Sequence, residues 1–107
     1  MKTKPVITRH QADDDIDGAF YHYLLEAGSE IAVAFMDEYE RATSHLSRFP
    51  LSGSPLLGHT LAIEDLRQWP LRGFPYLIFY FDREFSVEVW RVLPDQVDIP
   101  EWLRGEE

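Results

Sequence analysis

Three arginines, two tryptophans and one aspartate carry the sharpest chemistry in this chain. Arg67 and Trp69 stand in the run Leu-Arg-Gln-Trp-Pro, Arg72 precedes Gly73, Trp90 and Arg91 are adjacent in a β-rich run, and Asp98 follows in a short tail. Arginine presents a planar fork of donors that stays charged and grips phosphate or carboxylate oxygens in pairs. Tryptophan adds a large apolar body, the usual anchor of a protein contact. These six residues are the candidate target- or partner-binding set. The competing reading is structural, with the arginines paired to Glu64, Asp65, Asp98 or Glu101. Tyr76 and Tyr80 share a strand face and suit base stacking, but packing into a core is the plainer role.

No catalytic residue is assigned. His10, His22, His45 and His59 lack metal-ligand spacing such as H-E-x-x-H. There is no cysteine, which removes disulfides and thiolate metal sites. No nucleophile elbow and no phosphate-binding glycine loop is present. The run Asp13, Asp14, Asp15 and Asp17 reads as a solvated first helical turn, where the helix dipole favours negative charge. The expectation is therefore no metal and no cofactor.

The elements that must position these residues follow from periodicity. Lys4–Thr8 is a short β candidate. Thr8 and Gln11 have the form of a capping box, which starts a helix there. Ala12, Ile16, Ala19, Phe20, Tyr23 and Leu24 recur at helical spacing, and Gly28 is its stop. Ser29 caps a second helix with the stripe Ala32, Phe35, Met36, Tyr39, Ala42, Leu46 and Phe49, which Pro50 ends. Pro50–Gly58 reads as a loop, and His59–Asp65 as a short strand or turn. Leu66–Leu71, Phe74–Phe81 and Phe85–Leu93 read as strands, the middle one apolar enough to be covered on both faces. In the last strand Val87 and Val89 alternate with Glu88 and Trp90, so Trp90 falls on the more polar face and is a candidate anchor. Asp98–Arg104 reads as a short helical turn. The fold class is α+β: an N-terminal short strand, then a helical hairpin packed on a mostly antiparallel three- to four-stranded sheet.

Length and charge bound the function. A chain of 107 residues is one domain. The net charge of −9 makes direct nucleic-acid binding unlikely, since that rests on a basic surface. The charge is uneven: His10 to Glu40 holds nine acids and no lysine or arginine, whereas Arg41 to Arg91 holds six arginines against five acids. No apolar run is long enough for a membrane span, and the start of the chain lacks a signal-peptide pattern. A cytoplasmic protein is expected.

The stretch Leu66–Leu103 resembles the core of the ParE/RelE toxin superfamily, in its ParE-like branch. The resemblance rests on the arginine-x-aromatic-Pro run at Arg67–Pro70, on Gly73-Phe-Pro-Tyr-Leu-Ile-Phe-Tyr80, on the strand ending Arg91-Val-Leu, and on the Asp98-Ile tail. It implies the toxin of a type II toxin–antitoxin pair, a plasmid-stabilising, growth-inhibiting module. A cognate antitoxin neutralises such a toxin by wrapping an extended segment around its helices and sheet. It also implies a protein target, DNA gyrase in the ParE branch, and inhibition by binding without catalysis. Arg72 matches the arginine that RelE-type nucleases set against a phosphate. Pro94 and Val97 depart from the ParE pattern, which has histidine and arginine there, so two ionisable groups beside Arg91 are missing. Two other readings stay open: a ribosome-dependent mRNA endonuclease of the RelE type, and a non-toxic interaction module of the same fold.

Overall fold

The computed structural model describes residues 3–104. Its elements are β1 (Val6–Thr8), α1 (His10–Ala27), α2 (Ser29–Arg48), a 3₁₀ turn (Pro50–Ser52), α3 (Leu56–Leu61), β2 (Leu66–Pro70), β3 (Tyr76–Asp82), β4 (Val87–Pro94) and α4 (Ile99–Arg104). The strands form one four-stranded sheet in the order β1-β4-β3-β2. β3 pairs antiparallel with both β2 and β4, and β1 runs parallel to β4. The α+β class, the helical hairpin and the inner position of β3 are as the sequence predicts.

Both faces of the sheet are covered. On one, Ala12, Ile16 and Ala19 of α1 and Phe35, Tyr39, Ala42 and Leu46 of α2 pack on Ile78, Tyr80, Val87, Val89 and Val92. On the other, Leu57, Leu61 and Ile63 from the α3 region, with Val97, Ile99 and Leu103 around α4, cover Leu66, Phe79, Phe81, Trp90 and Leu93. Strand alternation sends Ile78 and Tyr80 to the hairpin and Phe79 and Phe81 to the short helices. A β-bulge lies where Phe79 pairs with Arg91 and Tyr80 with Val89. The extra residue shifts the alternation, so Val87, Val89 and then Val92 reach the hairpin side.

Several local expectations are corrected. Thr8 does not cap α1. It stays extended because it pairs with Val89, and Arg9 becomes the residue before the helix, with no side-chain cap. Ser29 is already helical. Gly28, at φ 94°, serves both helix ends in a conformation that glycine adopts most readily. The segment read as loop and ambiguous strand holds the 3₁₀ turn and α3. A six-residue helix survives there because Leu57 and Leu61, one turn apart, bury against the sheet. The last strand begins at Val87; Phe85 sits in the preceding turn, 79% exposed. Among the described residues no helix is long and apolar enough to cross a membrane.

Candidate functional site

Arg67 is the predicted site residue that the fold sets at a cleft. It stands on edge strand β2, opposite Tyr80 of β3. Its Nη1 donates to the carbonyls of Leu51 (3.1 Å) and Gly53 (2.7 Å). These bonds orient the guanidinium, and no carboxylate among the described residues forms an ion pair with it. The local frame is rigid. Gly53 N–H donates to Tyr80 Oη (2.9 Å), which in turn donates to the Pro50 carbonyl (2.7 Å). Burial pushes the Tyr80 phenol above its ordinary 10.0, so it stays protonated and committed to this backbone pin. A Cβ at residue 53 would lie 2.4 Å from Tyr80 Oη, which is why glycine stands there.

Arg67 lines a cleft of about 460 Å³ with Leu51, His59, Ile63, Asp65 and Asp82 among its walls. The cleft is mixed in charge. Glu64, Asp65 and Asp82 line it beside Arg67, and Asp82 is held by Lys4 at 2.6 Å. α3 and the turn after it build the far wall, where Ala62 and Asp65 take positive φ of 56° and 66°. The arrangement suits gripping an anionic or amide group of a partner by an oriented fork. Among the described residues, no group of three or more His, Asp or Glu side chains is arranged to hold a metal ion.

The other predicted residues are dispersed. Trp69 is half-buried toward the hairpin and stacks on His45, with ring centroids 4.9 Å apart and planes 18° from parallel. Arg72 lies beyond the far end of β2. Its backbone N–H donates to Glu38 Oε2 (2.6 Å), and its exposed side chain forms no ion pair among the described residues. The Arg41 fork holds Glu38 at 2.7 Å and lowers its carboxyl below the ordinary 4.5; burial opposes the shift, and the Arg72 N–H adds to it.

Trp90 and Arg91 are not surface residues. Trp90 is 3% exposed, because α3 and α4 cover the face that the sequence marks as polar. Arg91 is 5% exposed and bound in fork fashion to Asp15 of α1, at 2.7 and 2.8 Å. Asp15 Oδ2 also accepts the Val92 N–H at 2.9 Å, and the Arg91 guanidinium lies 5.6 Å from the Trp102 ring centroid. Asp15 holds it, and none of Glu64, Asp65, Asp98 and Glu101 forms an ion pair with it. Asp98 accepts the Glu101 N–H (3.2 Å) and so caps α4. Arg91 is thus buried away from the exposed Arg72 and the cleft at Arg67. Arg104 ends α4, and its side chain lies outside the described residues.

Two features escape sequence reasoning. Arg9 pairs with Glu88 at 3.2 Å and lies over the Phe81 and Trp90 rings, 5.1 and 5.8 Å from their centroids. With Arg83 it holds the Glu88 carboxyl below 4.5 against the opposing effect of burial. The cleft itself is the second, because its wall is the unforeseen α3. A leucine pair one turn apart, Leu57 and Leu61, was the available signal.

No protein-family model matches the chain. No curated protein matches it. Among solved structures it is similar to a chain of the chromosomal ParDE TA system from P. aeruginosa, with a TM-score of 0.71 and 16% identity, over 86% of this chain and 96% of that one. The two share a fold.

Proposed function

We propose that this chain is a ParE-like toxin: a single-domain, cytoplasmic protein that inhibits growth by binding a target protein and is neutralised by a cognate antitoxin. The shared fold with a chain of a ParDE system carries the reading. The motif run from Arg67 to Tyr80, and the oriented Arg67 at the cleft, which forms no ion pair among the described residues, support it from the side of the site. Arg67 is the contact residue, with Arg72 a second, exposed cation at the other end of β2. DNA gyrase is the target by analogy with the ParE branch. Catalysis has no part in the reading. Pro94 and Val97 carry no proton to exchange, Arg91 is spent on Asp15, and Tyr80 is spent on the backbone.

The test uses purified protein. Gyrase supercoiling of a relaxed plasmid should be blocked by the wild type. Arg67→Ala should raise the inhibitory concentration about tenfold or more, the scale of a lost charge-assisted contact. Intact supercoiling together with cleavage of mRNA on translating ribosomes would favour the RelE-type endonuclease instead. Neither effect, from a folded protein, would leave an interaction module.

A further inference from the structure

The turn after α2 sets a nucleophile against a base. Ser52 ends the 3₁₀ turn Pro50–Ser52, is exposed, and places its Oγ 2.9 Å from His45 Nε2. With the ring proton on Nδ1, Nε2 accepts the hydroxyl proton, which is the starting geometry for attack by serine. The imidazole is held by its neighbours. It stacks on Trp69, with centroids 4.9 Å apart, and meets the Phe49 ring at 5.2 Å. An activated serine needs a base that a third group orients. Here two aromatic rings take that part, and no carboxylate bonds to His45 among the described residues.

The serine side is fixed as well. The Ser52 N–H donates to the Phe49 carbonyl (3.1 Å), and Arg67 grips the carbonyls of Leu51 and Gly53 on either side of the serine. Ordering that the fold has already supplied is not charged again when a reagent arrives, and this lowers the barrier to attack. The surroundings also select. Leu51 is 65% exposed and Phe49 42%, so bare apolar surface borders the hydroxyl. Such a border retains an apolar body by taking it out of water.

We propose that Ser52 is a covalent acyl-acceptor site, with His45 as its general base and an activated ester of an apolar acid as the reagent. Ser52 Oγ bonds to the ester carbonyl carbon, and its proton passes to His45 Nε2. The bond from that carbon to the leaving oxygen breaks, and the electron pair departs with the leaving group. His45 then returns its proton to the leaving group or to water. The outcome is one acyl group per chain. The nearest backbone N–H groups are already engaged: Ser52 with the Phe49 carbonyl, Gly53 with Tyr80 Oη and Ser54 with the Gln68 carbonyl. They leave no oxyanion hole to drive repeated turnover, so the site is one of modification. The inference needs only this turn and the clamped imidazole, so it stands apart from the toxin reading.

The probes are the p-nitrophenyl esters of acetate and hexanoate, mixed with the full-length protein. Release of nitrophenolate gives the rate, and peptide mass spectrometry gives the position of the acyl group. The expected result is a single acyl group on Ser52. Hexanoyl should transfer faster than acetyl, each measured relative to its reaction with free imidazole. Ser52→Ala changes an exposed hydroxyl, keeps the fold and should remove the label. His45→Gln should slow labelling about a hundredfold, the scale of a lost general base. His45→Ala should regain part of its rate when imidazole is added, which a purely structural role for His45 would not produce. Thermal unfolding of each variant checks that the fold is kept. Acyl groups on lysine or histidine side chains with none on Ser52 would overturn the inference. So would equal labelling of the wild type and His45→Gln, or acetyl transfer as fast as hexanoyl.

Discussion

Asp15→Ala should be among the most damaging single changes in α1, although Asp15 lies in a run of acids that looks like solvated surface. Its carboxylate does two jobs across 76 residues of chain: it receives the Arg91 fork at 2.7 and 2.8 Å and the Val92 N–H at 2.9 Å. The pair is largely out of water, with side-chain exposures of 13% for Asp15 and 7% for Arg91. Removing the carboxylate breaks a largely buried ion pair, at a cost of about 3–5 kcal/mol, and also orphans the Val92 N–H. In urea, with a slope of about 1.5 kcal/mol per M, the unfolding midpoint should fall by about 2–3 M. Asp15→Asn keeps an acceptor for Val92 and should lose less. Asp15→Leu with Arg91→Met removes both charges, and should recover most of the loss, because an apolar pair of similar volume replaces buried ions at little or no cost. The Asp13→Ala control, on the exposed side of the same turn, should move stability by less than about 0.5 kcal/mol. The reasoning fails if Asp15→Ala costs under about 1 kcal/mol, or if the double replacement is as unstable as Asp15→Ala.

Ile78→Ala, at a fully buried position of β3, should cost about 2–5 kcal/mol in denaturant unfolding. Gly53→Ala drives a methyl group to 2.4 Å from Tyr80 Oη, and calorimetry should show a loss of about 1–3 kcal/mol with the Arg67 cleft displaced. The acid limb of stability should depend on Glu38 and Glu88. Both carboxyls are held below 4.5 in the folded protein, so their contribution is present above 4.5 and is lost as pH falls through the folded values. Stability between about pH 5 and 3 should therefore fall more steeply in the wild type than in Glu38→Gln or Glu88→Gln, as read from urea midpoints along the pH series.

Much of the frame was legible from periodicity. The stripes Ala12–Ile16–Ala19 and Ala32–Phe35–Tyr39–Ala42–Leu46 mark two helices, because a long amphipathic face carries its own signal. The apolar run into Phe81 marks the inner strand for the same reason. The site was less legible. Arg67 was visible as a cation beside an aromatic-Pro pair, but the carbonyls that orient it come from a 3₁₀ turn and a glycine with no periodic pattern. α3 spans too few residues to show a stripe. The apolar middle strand implies a cover on both faces, but without α3 nothing marks what covers the second one, and Trp90 passes for a surface anchor. Arg91 misleads in another way: its partner is remote in sequence, and nothing in the spacing of the Asp13–Asp17 run singles out Asp15. Thr8 shows local chemistry losing to tertiary pairing, since the parallel contact with β4 holds it extended where a capping box would turn it.

The central claim is that the folded chain arrests growth by binding and that a dedicated partner relieves the arrest. The direct measurement is growth after induced expression of the chain alone and together with a candidate antitoxin. The soluble, folded protein should be quantified in both cultures. The account predicts arrest with the chain alone, recovery on co-expression, and weakened arrest for Arg67→Ala at equal folded abundance. Normal growth in the presence of abundant folded wild-type protein would contradict it.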